Sequence, residues 1–307
     1  MRSLAANDAE LAKGISASRA LPDSALGEIW DSILIEQSVK DQLLSQAILN
    51  FTMRPKVARS VLPMHGVILM VGPPGTGKTS LARGLAHRTA ESFKGGSFRL
   101  LEVEPHDLAS SAMGKTQRAV SELFGQSISE AAALGPTIVL LDEVETLAVD
   151  RSKLSMDANP VDIHRATDAV LVQLDALAER HHNLLFIATS NFPQALDAAF
   201  KSRCDLVMEI PLPDAKGCEA ILRDCLKGLA RTYPKIGNLV LAREFAQCAS
   251  ACVGLDGRAI RKMVANALAS SPRTAMDPGS VTVDDLLKAA RMAARVRGVP
   301  TKVEEGR

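Results

Sequence analysis

Aromatic side chains are scarce in this 307-residue chain, with one Trp, one Tyr and 8 Phe making up 3% of it. Few rings are left for the stacking platforms that single-strand nucleic-acid binders use, which counts against that class. An excess of charge of one sign is also lacking: 36 Lys and Arg face 35 Asp and Glu, for a formal net of +1. No global field then demands a polyanion or a membrane surface, so a partner must be argued from a site. The five cysteines (Cys204, Cys218, Cys225, Cys248, Cys252) are odd in number and have no C-x-x-C pairing. Neither a disulfide framework nor a zinc site is indicated, and reduced, mostly buried thiols are expected. No apolar run approaches the ~18 residues that span a bilayer, and residues 1–14 alternate charge with alanine without a hydrophobic core segment. The expectation is a cytoplasmic protein.

What the chain does have is an apolar fraction of 47%, enough to build cores. Short continuous apolar runs at 66–71, 98–103, 137–141, 184–188 and 206–210 predict strands buried on both faces of a parallel sheet. Helical spacing falls between them, at 115–134 and 165–177, and before them at 39–50. This alternation predicts an α/β fold, a doubly wound three-layer sandwich with a parallel sheet. Pro211 and Pro213 mark its end, and 215–229, 242–249, 257–269 and 283–294 then read as four helices of a small α-helical domain. The expected division is a helical or disordered arm at 1–28, an α/β domain at 29–212, a helical domain at 213–300 and a tail at 301–307.

The run Gly72-Pro73-Pro74-Gly75-Thr76-Gly77-Lys78-Thr79 follows an apolar strand and precedes a helix, the context that makes a glycine-rich pattern a phosphate loop for ATP. Glycines let successive N–H groups turn toward phosphate, and the helix adds the positive end of its dipole. Lys78 would reach the β and γ phosphates, Thr79 would present a hydroxyl to Mg²⁺, and Ser80 would line the same site. About sixty residues on, a buried strand ends in Asp142-Glu143, at the tip where such sheets bind ligands. Asp142 would hold Mg²⁺, while Glu143 would orient and deprotonate the attacking water, which points to hydrolysis and not binding alone. Asn191, at the end of the next strand, could position that water or could simply form a turn. Glu145 reads as an exposed neighbour, and His181-His182 as a solvated turn.

These features in this order resemble the AAA+ superfamily. The narrower likeness is carried by IWDSI at 29–33 with Val39-Lys40 and Leu43-Leu44, GPPGTGKTSL at 72–81, RATDAVLVQLD at 165–175, ATSN at 188–191 and LDAAFKSRCD at 196–205. It is similar to the pachytene-checkpoint ATPases, whose members remodel HORMA-domain proteins. That resemblance implies a three-layer sandwich with a helical lid, and a homo-oligomer, a hexameric ring with ATP sites between subunits. It implies that Arg203 serves as an arginine finger in the neighbouring site, the alternative being a surface partner for Asp205. It implies that Arg258 is the lid arginine called sensor 2, with Arg261 its rival. A pore loop would include Ala112, Met113 and Gly114, where Met113 stands in place of the usual aromatic. A second pore loop would fall in 151–164.

The short stretch before the ATPase core makes this chain similar to bacterial forms that accompany a HORMA protein and a cyclic-oligonucleotide synthase in anti-phage signalling. The implied client is a HORMA-domain protein, in complex with a nucleotidyltransferase, which the ATPase would partially unfold or disassemble to switch signalling off. Two rival readings stand beside it: an AAA+ nucleic-acid motor or loader, disfavoured by charge and composition, and a nucleotide-gated scaffold without turnover, which would have no use for both Glu143 and Arg203.

Overall fold

The computed structural model describes residues 12–108, 115–150 and 160–297. It divides into two compact units. Among the described residues, one comprises 12–33, 37–72 and those of 78–209; the other comprises 34–36, 73–77 and 210–297.

The first unit is built on a six-stranded sheet of β1 (Ile15–Leu21), β2 (Val67–Val71), β3 (Phe98–Val103), β4 (Thr137–Leu141), β5 (Leu184–Ser190) and β6 (Leu206–Glu209), in the order β1-β3-β4-β5-β2-β6. Five of these strands run parallel, and β1 is antiparallel to β3. The strand β1 corrects the expectation of a helical or disordered arm over 1–28. Its Ala17 to Leu21 pair with Glu102 to Phe98, and Asp23 then caps α1 (Ser24–Ser32) by accepting from the Ala25 N–H. β6 departs from burial on both faces: as an edge strand it alternates, and Val207 is exposed.

Helices α2 (Gln37–Met53), α3 (Lys78–Glu91), α4 (Pro105–Leu108), α5 (Lys115–Glu122), α6 (Ser129–Leu134), α7 (Pro160–Arg180) and α8 (Ala198–Lys201) complete this unit, with a π-helical turn at Leu123–Ile128 joining α5 to α6. Leu69, Val139, Leu141, Phe186 and Ala188 of the strands bury one sheet face with Leu123, Phe124, Val170 and Leu174, and the Phe124 and Phe186 rings stack at 5.8 Å. Intervening strand residues such as Ile68, Met70, Ile138 and Ile187 are equally buried, because alternate side chains point to opposite faces and both are covered. The buried Lys40 of α2 donates to the Trp30 carbonyl at 2.7 Å and lies 5.3 Å from its ring, while burial lowers its pKa.

Asp205 fixes how β2 and β6 begin. Its carboxylate accepts the backbone N–H groups of His65, Gly66 and Val67 at 2.9, 2.6 and 3.1 Å. Asp205→Ala is expected to cost about 2–3 kcal/mol, since charge-assisted bonds are lost and half-buried amides are left unpaired, and to lower the urea midpoint accordingly.

The second unit carries α9 (Ala215–Ala230), α10 (Phe245–Ala251), α11 (Gly257–Leu268), α12 (Pro272–Met276) and α13 (Val283–Val296). Its core gathers Ile221, Leu222, Phe245, Ile260, Val264, Leu286 and Ala290. Caps set the helix starts: Asp214 for α9, Asp256 for α11, and a Thr282–Asp285 capping box for α13. All five cysteines are free thiols, and burial pushes those of Cys204 and Cys252 up to about 12, so they stay protonated and inert. Among the described residues no helix is long and apolar enough to cross a membrane.

Candidate functional site

Parallel register gathers the site residues. Val71 pairs with Ser190, and Leu141 with Ala188, so the segments leaving β2, β4 and β5 emerge together at the carboxyl edge of the sheet. Here β2 lies between β5 and β6, and the chain leaving β2 crosses past β5 and β4 to β3 before returning through β4 to β5, the reversal of strand order at which open α/β sheets bind ligands. Gly72 leaves β2 with its N–H on the Ser190 carbonyl at 3.2 Å. Gly75 and Gly77 adopt φ of 82° and 92°, where a side chain would be strained, and a Cβ at Gly77 would meet nothing within 4 Å. That open cradle leads into α3, which begins at Lys78.

Lys78 is buried, and its Nζ donates to the Gly72 carbonyl and to Asn191 Oδ1, both at 2.8 Å. Burial lowers its pKa, and the nearby Glu145, Asp142 and Glu143 carboxylates oppose that shift. Thr79 Oγ1 donates to both Asp142 oxygens, at 2.9 and 3.1 Å, and the Thr189 hydroxyl also donates to Asp142. This hydroxyl-and-carboxylate set is all oxygen, the donor chemistry that Mg²⁺ requires. Thr76 braces the loop through the Pro73 carbonyl, and Ser80 is half-buried in the first turn of α3.

Glu143 has φ 51° and ψ 51°, and is the one non-glycine residue with positive φ among those described. Such left-handed backbone is costly for a carboxylate-bearing residue and must be held by its surroundings. Its N–H reaches Thr189 Oγ1 at 3.2 Å, Asn191 Nδ2 donates to Oε1 at 3.1 Å, and His106 Nε2 lies 3.1 Å from Oε2. Asn191 therefore bridges Lys78 and Glu143. Glu145 is a correction: it is half-buried, and Oε1 accepts the Asn191 N–H at 3.0 Å while Oε2 is buried without a partner among the described residues. Sequence reasoning also missed His106 and Thr189, since their roles depend on contacts 37 and 47 positions away. The one available signal for Thr189 was its place beside Asn191 at a strand end.

Arg203 is not among these groups. It precedes β6, at the amino edge of the sheet, and β2 separates that edge from the phosphate loop by five residues, about 16 Å at 3.3 Å each. Its guanidinium grips Asp175 of α7 in a fork, Nε to Oδ1 at 3.0 Å and Nη2 to Oδ2 at 2.6 Å, and Nη1 donates to the Ala199 carbonyl at 2.8 Å. Asp205, the expected partner in the alternative reading, is taken up by backbone amides instead. Arg258 is exposed in the first turn of α11, and Arg261 on the same helix donates to Asp224 at 3.0 Å. Ala112, Met113 and Gly114 lie outside the described residues, as does 151–159 of the second expected pore loop. His181 is not a solvated turn residue: it is half-buried and its Nε2 lies 2.8 Å from Ser129 Oγ.

Comparison with known proteins meets this geometry. Residues 68–212 match the family of ATPases associated with various cellular activities (AAA). The chain is 69% identical over 291 residues to CD-NTase-associated protein 6 of Pseudomonas aeruginosa, covering 95% of this chain and 96% of that protein. It is 31% identical over 303 residues to the pachytene checkpoint protein 2 homolog of Rattus norvegicus, covering 89% and 67%. A chain of the E. coli MS115-1 HORMA:CdnC:Trip13 complex shares the fold, with a TM-score of 0.73 at 18% identity over 90% of this chain and 94% of that one. The chain is an AAA ATPase and belongs to the family of CD-NTase-associated protein 6 and the pachytene checkpoint protein 2 homologues.

Proposed function

We propose that this ATPase is a ring-shaped protein remodeller that hydrolyses ATP to disassemble or partially unfold a HORMA-domain client, itself in complex with a nucleotidyltransferase, and so ends anti-phage signalling. The observation that carries the reading is the split of the site: Lys78, Thr79, Asp142, Glu143 and Asn191 are joined at one sheet edge, whereas Arg203 stands at the other. An arginine that cannot reach its own phosphate loop can serve a second copy, which favours a closed homo-oligomer, a hexamer, with each site completed by its neighbour. The client follows from the likeness to CD-NTase-associated protein 6 and to the chain of the HORMA:CdnC:Trip13 complex.

In this mechanism the phosphate-loop amides and Lys78 bind and orient the triphosphate. Thr79 and Asp142 would hold Mg²⁺, which would supply positive charge against the triphosphate. Asn191 aligns Glu143, which takes the proton of the attacking water. The neighbour's Arg203 offers its guanidinium to the charge that develops on the γ-phosphate. Arg258 is the better lid sensor, because it is exposed at a helix start whereas Arg261 is engaged by Asp224. The cycle would be read out as movement of Ala112, Met113 and Gly114 against a client segment in the pore.

The test is to mix the chain with a HORMA-domain protein bound to its nucleotidyltransferase and follow the complex by size exclusion. ATP should separate the complex, and Glu143→Gln should stay bound to the client with ATP present. Normal hydrolysis with an intact complex, and no retention by Glu143→Gln, would sink the proposal.

A further inference from the structure

Arg203 shares its anchor with a second arginine. Arg59, from the segment before β2, places Nη2 3.4 Å from the same Asp175 Oδ1 that Arg203 Nε binds at 3.0 Å, and the same Nη2 meets His65 Nε2. His65 Nε2 also lies 3.3 Å from Asp175 Oδ1. The three side chains come from the entry to β2 and the entry to β6, so they stand together at the amino edge of the sheet.

The charge at this spot does not balance. Asp175 is already neutralised by the two-pronged grip of Arg203, which holds its carboxyl below the usual carboxylate range. The other partner of Arg59 is an imidazole kept neutral, because burial and the Arg59 guanidinium push its pKa down. Asp205, the remaining carboxylate nearby, faces three backbone amides, and the buried Arg54 adds a further positive charge to its surroundings. A carboxylate held by one forked arginine gains little from a second at 3.4 Å, and two guanidiniums converging on one oxygen repel. The arrangement is explained when an anion completes it. Arg59 is about one-third exposed and Arg203 less so. Arg203 commits three N–H groups to the Asp175 and Ala199 oxygens, and a guanidinium has five.

We infer that Arg59 is a second residue that this edge presents to the terminal phosphate of ATP on a neighbouring copy, aligned beside Arg203 by their shared Asp175 carboxylate. The inference rests on the reading of Arg203 as a residue that acts between copies. Asp175 is then a positioning residue for both arginines.

The experiment uses the full chain with Arg59→Gln, which keeps a donor for His65 but removes the charge, and Arg59→Lys, which keeps the charge. Arg59→Gln should lower kcat about 10-fold, less than the loss of a sole oxyanion donor, with KM for ATP unchanged, and Arg59→Lys should recover most of it. Mixed with Glu143→Gln subunits, inactive in their own sites but intact at this edge, Arg59→Gln subunits should regain turnover. Arg203→Ala mixed with Glu143→Gln is the control. If the control recovers while the Arg59→Gln mixture does not, or if Arg59→Gln turns over as wild type, the inference falls and the reading of Arg203 stands. If the control also fails to recover, the inter-copy reading falls and takes the inference with it.

Discussion

Replacing Glu143 with glutamine is expected to lower kcat about 10³-fold while leaving ATP affinity within a small factor of wild type, because a general base contributes to the chemical step and not to ground-state binding. The substitution keeps the shape of the side chain and an oxygen for the Asn191 amide at 3.1 Å. Lys78 keeps the Gly72 carbonyl and Thr79 keeps Asp142, so these contacts are undisturbed. Steady-state phosphate release set against nucleotide titration separates the two effects. Unchanged turnover would return the chain to the class of nucleotide-gated scaffolds. The left-handed backbone at Glu143 points the same way, since strained residues cluster at functional sites and this one is held by Thr189, Asn191 and His106.

Lys78→Ala is expected to abolish measurable hydrolysis and weaken ATP binding by at least roughly 100-fold, the equivalent of one or two charge-assisted hydrogen bonds. The loss has two sources. The ammonium is the cation proposed to face the phosphates, and it also links the Gly72 carbonyl to Asn191. Without it, Asp142, Glu143 and Glu145 crowd the site with negative charge that a triphosphate must approach unaided. Isothermal titration measures the affinity, and the thermal stabilisation that ATP gives the wild type should vanish with it. Retained affinity would mean that the loop amides alone hold the phosphates.

The two substitutions divide the site by function: Lys78→Ala removes binding and turnover together, and Glu143→Gln removes turnover alone. The loss at Arg203 has a third signature, since it is expected to be curable by a neighbouring copy.

The phosphate loop, the Asp142-Glu143 pair and five of the six strands were legible in sequence because each is dictated by local chemistry. A chain that must turn tightly around phosphate needs glycine at positive φ, and a strand covered on both faces must be apolar throughout. β1 was not legible, because ISASRAL is an edge strand with one paired side, polar enough to pass for an arm.

What no single segment records is pairing across the sheet. Glu145 read as a surface acid and His106 was not noticed, yet the return of β4 beside β5 and of β3 beside β4 brings Glu145 to the Asn191 backbone N–H and His106 to the Glu143 carboxylate. Arg203 was tied to Asp205 by nearness in sequence, but the fold gives Asp205 to the backbone of β2 and hands Arg203, with Arg59, to Asp175 of α7. Sequence alone was enough to mark an AAA-type phosphate loop and the residues proposed to meet the phosphates of ATP. Only the tertiary structure decided that Arg203 and Arg59 lie at the sheet edge away from the phosphate loop, because strand order and direction, not composition, set which end of the sheet each segment reaches.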